Sequence, residues 1–346
     1  MIFTAASSIY GAAAAWRRRW YARDPARRRR LAQPVVSIGN LTTGGTGKSP
    51  VAAALARLLV AHGERPAILS RGYARRRPTE GVTVVSDGQR VLADVDHAGD
   101  EPLMLAEALP GVAVLVSDDR HLAGALGEAR LGATVHLLDD GFQHLALWRD
   151  VDLLLVDETI EDERVLPAGR LRERLEAASS AHAILVTGGG SEAAVERLRM
   201  TLSVDAAFLV RRATGAPVRL HDDQPADLPT GTPVLAMAAI ARPDRFFGDV
   251  RAAGFTVAHT IRFRDHHRFS EADVRQILDA ARAAGARAVL TTDKDAVRLD
   301  RHATYDPPIA RVPLVVTIEP ASFAGWLLGR VRAARAGTPD GEARGA

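Results

Sequence analysis

Ile2, Phe3, Ala6, Ile9, Tyr10, Ala13, Trp16 and Trp20 recur at steps of three and four, the spacing of one helix face. From Pro34 the pattern changes, and short β-branched or leucine-rich runs alternate with Ala- and Arg-rich stretches of helical period. The runs predict strands at Val35–Ile38, Ala67–Ser70, Val82–Ser86, Val112–Val116, Thr134–Leu138, Val151–Val156 and Ala183–Val186. Later strands are expected at Val234–Ala238, Phe255–Ile261, Ala288–Thr291 and Val312–Thr317. Helices are expected at Pro50–His62, Ala123–Leu131, Arg242–Ala253 and Glu271–Ala284. This alternation predicts an α/β protein with parallel sheets covered by helices.

Between Thr187 and Thr232 a GGGS run, scattered polar residues and prolines at 225 and 229 interrupt the alternation, which marks the zone of a domain junction. The expected division is an N-terminal helix and basic segment over 1–30, a larger domain over 31–200, a smaller α/β domain over 201–332, and a polar, flexible tail over 333–346.

A chain of 346 residues has room for two such cores. It contains no cysteine, which excludes disulfides, thiolate metal sites and cysteine nucleophiles. No uncharged apolar stretch is long enough to span a bilayer. The net charge of +3 hides an asymmetry: residues 1–30 hold eight Arg against Asp24, so the remainder is net acidic. An apolar helix with Trp and Tyr followed by arginines suits a membrane interface, and equally a terminal helix packed on its own domain. Of the 45 basic residues only Lys48 and Lys294 are lysine, so these two mark places where a compact ammonium is wanted rather than a planar guanidinium.

Lys48 closes NLTTGGTGKSP, which follows the strand PVVSIG and precedes a helix, the order a phosphate cradle requires. Thr42 stands where the strict P-loop pattern has its first glycine, but Gly44, Gly45, Thr46, Gly47, Lys48 and Ser49 keep the part that binds phosphate, Lys48 facing the β and γ phosphates and Ser49 facing Mg²⁺. Such a site needs an acid at a strand end. The candidates are Asp139 and Asp140, in DDGFQH, and Asp157, with the first pair favoured by the turn glycine that follows. Asp100 and Glu101 open a helix, where Asp100 is either a cap or, with Glu101, a base and a metal ligand. Asp265, His266 and His267 follow a strand. TTDKDAVR carries Lys294 but lacks the guanine-reading Asp two positions after its lysine, where Ala296 stands.

Together SIGNLTTGGTGKSP, LSRGYARR, GDEPLMLA, LLDDGFQHLALWRDVDLLLVD, LPAGRLRE, AIARPDRFF, DHHRFS and TTDKDAV resemble, in order and over nearly the whole chain, the tetraacyldisaccharide 4'-kinase family, the lipid A 4'-kinases of Gram-negative bacteria. The resemblance implies a P-loop NTPase-like domain with a second, smaller α/β domain, and nucleotide in the cleft between them. It implies transfer of the ATP γ-phosphate, with Mg²⁺, to the 4'-hydroxyl of an acylated glucosamine disaccharide 1-phosphate, giving lipid IVA at the cytoplasmic face of the inner membrane. By motif, Asp100 resembles the catalytic base, His266 the histidine paired with it, and Glu101, Asp139 and Asp140, with Ser49, the metal-side residues. Arg71 and Tyr73, in RGY, and Arg170, in PAGRLRE, are matched to substrate or nucleotide contacts.

The expected partners are therefore the acylated disaccharide and an anionic membrane surface, with the protein acting as a monomer. A P-loop ATPase that delivers a protein or metal would share GGTGKS without needing an Asp/His pair. Nucleic acid is not expected, since the body is net acidic and aromatic residues are only 5% of the chain.

Overall fold

The computed structural model describes residues 2–44, 47–73 and 75–337. Gly45 and Thr46 of the phosphate loop, and residues 338–346 of the expected tail, lie outside the described residues.

In chain order, α1 (Ile2–Ala22) precedes β1 (Val35–Asn40), α2 (Lys48–Ala61), β2 (Pro66–Ser70), β3 (Thr83–Asp87), α3 (Val95–Ala98), α4 (Asp100–Ala108) and β4 (Ala113–Val116). There follow α5 (Arg120–Leu131), β5 (Val135–Asp139), β6 (Val151–Asp157), β7 (Ala183–Thr187), α6 (Glu192–Thr201), β8 (Ala206–Thr214) and β9 (Val218–Arg219). The last stretch holds β10 (Pro233–Ala238), α7 (Pro243–Ala252), β11 (Thr256–Arg262), α8 (Glu271–Ala283), β12 (Ala288–Thr292), α9 (Asp293–Ala296), β13 (Ile309–Val312), β14 (Leu314–Glu319) and α10 (Ser322–Ala336).

Nine strands form one sheet in the order β14-β8-β7-β6-β1-β5-β2-β4-β3. The interior seven are parallel and, apart from β8, fully or largely buried, and only the edge strands β3 and β14 run antiparallel to their neighbours. The near-continuous apolar character of VVSIGN and VDLLLVD follows from this, since parallel strands are covered on both faces. The second sheet has the order β11-β10-β12-β13-β9 and is parallel except for β9.

The expected division at 200 and 332 differs from this topology. β8 and β14 both pair within the larger sheet, and the smaller sheet is confined to residues 218–312. The expected single strand Val312–Thr317 is cut at Pro313, with β13 on the small sheet before it and β14 on the large sheet after it. Proline has no N–H for a ladder, so the chain changes sheets there. α10 then packs back on the large domain through Phe323, which lies edge-on to Phe208 at 4.9 Å between centroids. The helix continues to Ala336, four residues into the expected tail.

α1 docks along the large domain by its polar side. The Ser7 hydroxyl accepts from Ala168 N (3.1 Å), Gly11 abuts the Arg174 side chain, and Arg18 makes a two-pronged pair with Glu173 (2.7 Å) while lying 4.4 Å over the Phe142 ring. Ile9, Trp16 and Trp20, spaced to lie on the opposite face, remain 72%, 65% and 40% exposed. The helix thus packs on its own domain by one face and leaves an apolar stripe exposed on the other, with Arg27 stacked 4.3 Å over the Trp20 ring.

Candidate active site

The site lies where the C-terminal ends of the two parallel sheets face each other, the position at which open α/β sheets bind ligands. On the large domain, β1 leads into the phosphate loop and α2 opens at Lys48 with Gly47 as its N-cap. Gly47 has φ 87°, which only glycine adopts without strain, and no side chain caps the helix. The first-turn N–H groups are thus left to an anion. Lys48 Nζ donates to Asn40 Oδ1 (3.1 Å) and lies 3.4 Å from Asp140 Oδ1, and Ser49 follows in the same turn.

β5 pairs with β1 so that Asp139 sits opposite Ile38, which brings both aspartates to the end of the phosphate strand. Asp139 is buried and its Oδ1 has no hydrogen-bond partner. Burial first, then the charges of Asp140 and Glu101 against that of Lys48, push its pKa up to about 6. Asp140 behaves oppositely: burial would raise it, but Lys48 and Arg172, whose Nη1 is 3.0 Å away, hold it below the usual carboxylate range.

A carboxyl raised in the folded state leaves stability unaffected below its unfolded value near 4 and costs stability increasingly as pH rises through about 6. Asp139→Asn is therefore expected to be more stable than the wild type at pH 8 in Mg²⁺-free buffer, by about 3 kcal/mol at most, with the gain vanishing by about pH 4. Urea unfolding at both pH values measures it, and an equal difference at both would contradict the assignment.

Asp100 is the first residue of α4, and its carboxylate does not cap the helix, because Gly99 is the N-cap and makes no side-chain bond. The Gly99 φ is 86°, and a Cβ there would meet the Tyr73 carbonyl oxygen at 2.9 Å, so glycine lets the RGY loop close over the start of α4. The Asp100 side chain turns to the small domain instead. His266 Nδ1 lies 2.8 Å from Asp100 Oδ2, and Arg298 Nε is 3.5 Å from the same oxygen. His266, after β11, adopts φ 59°, a rare conformation for a residue with a side chain, held by its N–H donating to the Ala239 carbonyl at 3.2 Å. Arg298 donates to the carbonyls of His267 (2.7 Å) and Ala239 (3.3 Å) and pairs with buried Asp295, which fixes this segment from beneath.

Lys294, after β12, lies 2.8 Å from Glu101 Oε1, 3.5 Å from Asp265 Oδ1 and 3.2 Å from His266 Nε2. Burial would lower its pKa, but Glu101, Asp265 and Asp100 together raise it, so Lys294 is an ammonium and can only donate. Nε2 of His266 must then accept, and Nδ1 carries the proton that His266 donates to Asp100. The Asp100 bond raises His266 against the opposing effects of burial and Lys294. Burial works to raise Asp100, yet the His266 bond and the charges of Arg298, His266 and Lys294 leave it below its ordinary value and ionised at neutral pH.

The structure thus brings Lys48, Asp139 and Asp140 together on one side and Asp100, Glu101 and His266 on the other, with Asp139 and Glu101 within electrostatic reach. Tyr73 is on the rim, 73% exposed with its ring 5.9 Å from that of His266. Arg71 is exposed and pairs with Asp118 at 3.4 Å. Arg170 pairs with Glu163 and lines a separate cavity of about 120 Å³ beside Thr42, with Asp157, Arg242 and Arg245. The arginine of the same segment that reaches the acidic pair is Arg172.

Sequence reasoning singled out Lys294 without giving it a role, and missed Arg172, Arg298 and buried Arg120, whose guanidinium lies within the field of Asp139 and Asp140. For Lys294 a signal existed, since both lysines of this arginine-rich chain fall in the site. Nothing local distinguishes Arg172 from Arg170 or Arg120 from its many neighbours of the same type.

The family model described as tetraacyldisaccharide-1-P 4'-kinase, LpxK, matches residues 1–332. The tetraacyldisaccharide 4'-kinase of Desulfotalea psychrophila is 39% identical, over 87% of this chain and 88% of its own length. That of Geobacter metallireducens is 43% identical over 78% of this chain and 80% of its own. A crystal structure of LpxK from Aquifex aeolicus in complex with ATP superposes with a TM-score of 0.75 at 27% identity, covering 94% of this chain and 96% of the other.

Proposed function

The chain belongs to the tetraacyldisaccharide-1-phosphate 4'-kinase family, and from that premise we propose that Asp100, held by His266 from the small domain, removes the proton of the 4'-hydroxyl that it phosphorylates. The protein is an ATP-dependent kinase that acts on the 4'-hydroxyl of tetraacyldisaccharide 1-phosphate in lipid A biosynthesis.

A sugar hydroxyl is a weak nucleophile, so a base must take its proton as it attacks the γ-phosphorus. Asp100 is ionised and freed from capping, and it has one oxygen fixed by the Nδ1–H of His266. Lys48 and the first-turn N–H groups of α2 meet the charge that spreads over the moving phosphoryl group, with Arg172 and Arg120 behind the acidic pair. The observation that carries this reading is the 2.8 Å Asp100–His266 bond between domains, for which ATP hydrolysis alone has no use.

Ser49, Glu101, Asp139 and Asp140 would hold Mg²⁺, and the buried Asp139 Oδ1 without a partner fits a cation. Among the described residues no three His, Asp or Glu side chains form a cage by themselves. Mg²⁺ ordinarily takes one or two carboxylates together with phosphate oxygens and water. When bound, the ion would offset charge on the β and γ phosphates. Glu101 is paired with Lys294 here, so it would exchange one cation for another. Gly44, Gly47 and Lys48 on the phosphate loop remain the proposed nucleotide contacts, with Arg71, Tyr73 and Arg170 proposed at the rim for substrate.

We place the enzyme peripherally at the cytoplasmic face of the inner membrane of a Gram-negative cell, working as a monomer, since one chain supplies the whole site. Among the described residues no helix is long and apolar enough to cross a membrane. The α1 stripe is the proposed contact. Removing residues 1–30 would not test this cleanly, because it strands buried Glu173 without Arg18, a loss of about 3–5 kcal/mol. Replacing Ile9, Trp16 and Trp20 together by Gln leaves that pair intact and is expected to weaken binding to anionic vesicles at least ~10-fold while activity on detergent-dispersed substrate persists. Unchanged sedimentation with vesicles would refute the contact. The reaction itself is tested by phosphate transfer from γ-labelled ATP to the acylated disaccharide in detergent. A lipid product phosphorylated at the 4' position is expected, whereas ATP hydrolysis indifferent to the acceptor would contradict the proposal.

A further inference from the structure

A second cavity, of about 450 Å³, lies at the end of the large sheet opposite the phosphate loop, among α1, the start of β6 and α10. The chemistry above makes no use of it. Four arginines, Arg18, Arg28, Arg149 and Arg330, line it against two acids, Asp150 and Asp152. Two of these arginines are neutralised: Arg18 by Glu173 and Arg149 by Asp152, each at 2.7 Å. Among the described residues no carboxylate lies within ion-pair distance of Arg28 or Arg330, and Nε of Arg28 is buried with no hydrogen-bond partner. Burial, and next the charges of Arg149 and Arg18, hold Arg28 below the ordinary arginine value.

The cavity therefore gathers more positive charge than its own acids offset, and the half-buried Arg28 keeps a buried Nε–H with no acceptor. Its position is fixed rather than accidental: Arg28 lies 5.5 Å and Arg30 3.7 Å from the Trp148 ring centre, and the Trp148 Nε1–H is pinned to Asp150 at 3.0 Å. Guanidinium forks favour phosphate oxygens.

We propose that this cavity binds a phosphoester anion, the headgroup phosphate of an anionic phospholipid, with Arg28 and Arg330 as its ligands. The lipid source rests on the membrane contact proposed above, since α1, whose opposite face carries Ile9, Trp16 and Trp20, supplies Arg18 to the cavity wall. The anion site itself does not depend on that contact.

The test uses full-length protein, comparing the wild type with Arg28→Gln/Arg330→Gln and with Arg275→Gln/Arg282→Gln, which removes the same charge from exposed positions on α8. Thermal melting with and without glycerol phosphate reads the anion site, and sedimentation with phosphatidylcholine vesicles with or without phosphatidylglycerol reads the lipid. We expect glycerol phosphate to raise the melting temperature of the wild type and the α8 variant but not of the cavity variant. The cavity variant should bind phosphatidylglycerol vesicles roughly 10- to 30-fold more weakly than the α8 variant. Loss of glycerol phosphate protection with vesicle binding equal to that of the α8 variant would overturn the lipid source in favour of a soluble phosphoester. Wild-type protection without any preference for phosphatidylglycerol would likewise overturn the lipid source. Equal responses of all three proteins to both probes would overturn the proposal. Should the double variant melt early without ligand, Arg330→Gln alone gives the same comparison.

Discussion

Asp100→Asn is expected to slow phosphate transfer to the disaccharide about 10²- to 10⁴-fold, the loss that accompanies removal of a positioned general base. The amide keeps the volume and can still bond to His266 across 2.8 Å, so melting and ATP binding should change little. His266→Ala should fall short of this, because Asp100 keeps Arg298 at 3.5 Å and remains ionised while losing its orientation. The double variant is expected to be about as slow as Asp100→Asn alone, since the two side chains act as one unit. Rates that multiply would mean that His266 serves some step apart from Asp100.

Lys48→Ala is expected to lower the transfer rate by about 10²- to 10³-fold, with weaker ATP binding, because a charge aimed at the developing phosphoryl oxygens is lost. It also leaves Asp140 to Arg172 alone, at 3.0 Å. Lys48→Arg should not restore the rate. A planar fork cannot take the place of a compact ammonium set 3.1 Å from Asn40 Oδ1 and 3.4 Å from Asp140. Steady-state kinetics of the two variants measures both points, and recovery of the rate in Lys48→Arg would refute the second.

What could be read from the residues is what local sequence controls. The strand, loop and helix around Lys48 follow one another without a break, and β1, α2 and the aspartates ending β5 lie close to where hydrophobic pattern and motif put them. The pairing of Asp100 with His266, 166 positions apart, is a product of topology, and only the family resemblance suggested it. Arg170 and Arg172 are indistinguishable by pattern, and a single ion pair decides which one meets Asp140. The limits of the small domain were misplaced for the same reason. β8, AAFLVRRAT, lies in the polar stretch that reads as a junction, where no strand is expected, and the pattern merges β14 with the end of β13. The pairing of β8 with β7 and β14 and the packing of Phe323 on Phe208 assign both to the large sheet.

Whether Asp100 receives the proton of the acceptor hydroxyl is decided by comparing wild-type and Asp100→Asn proteins in a single-turnover reaction with γ-labelled ATP and the acylated disaccharide 1-phosphate, counting labelled lipid and free phosphate together. Rapid labelling of the lipid by the wild type and at least ~100-fold slower labelling by the variant are expected, with ATP bound equally by both. Equal rates of lipid labelling would contradict proton transfer to Asp100 and return it to a structural role at the start of α4.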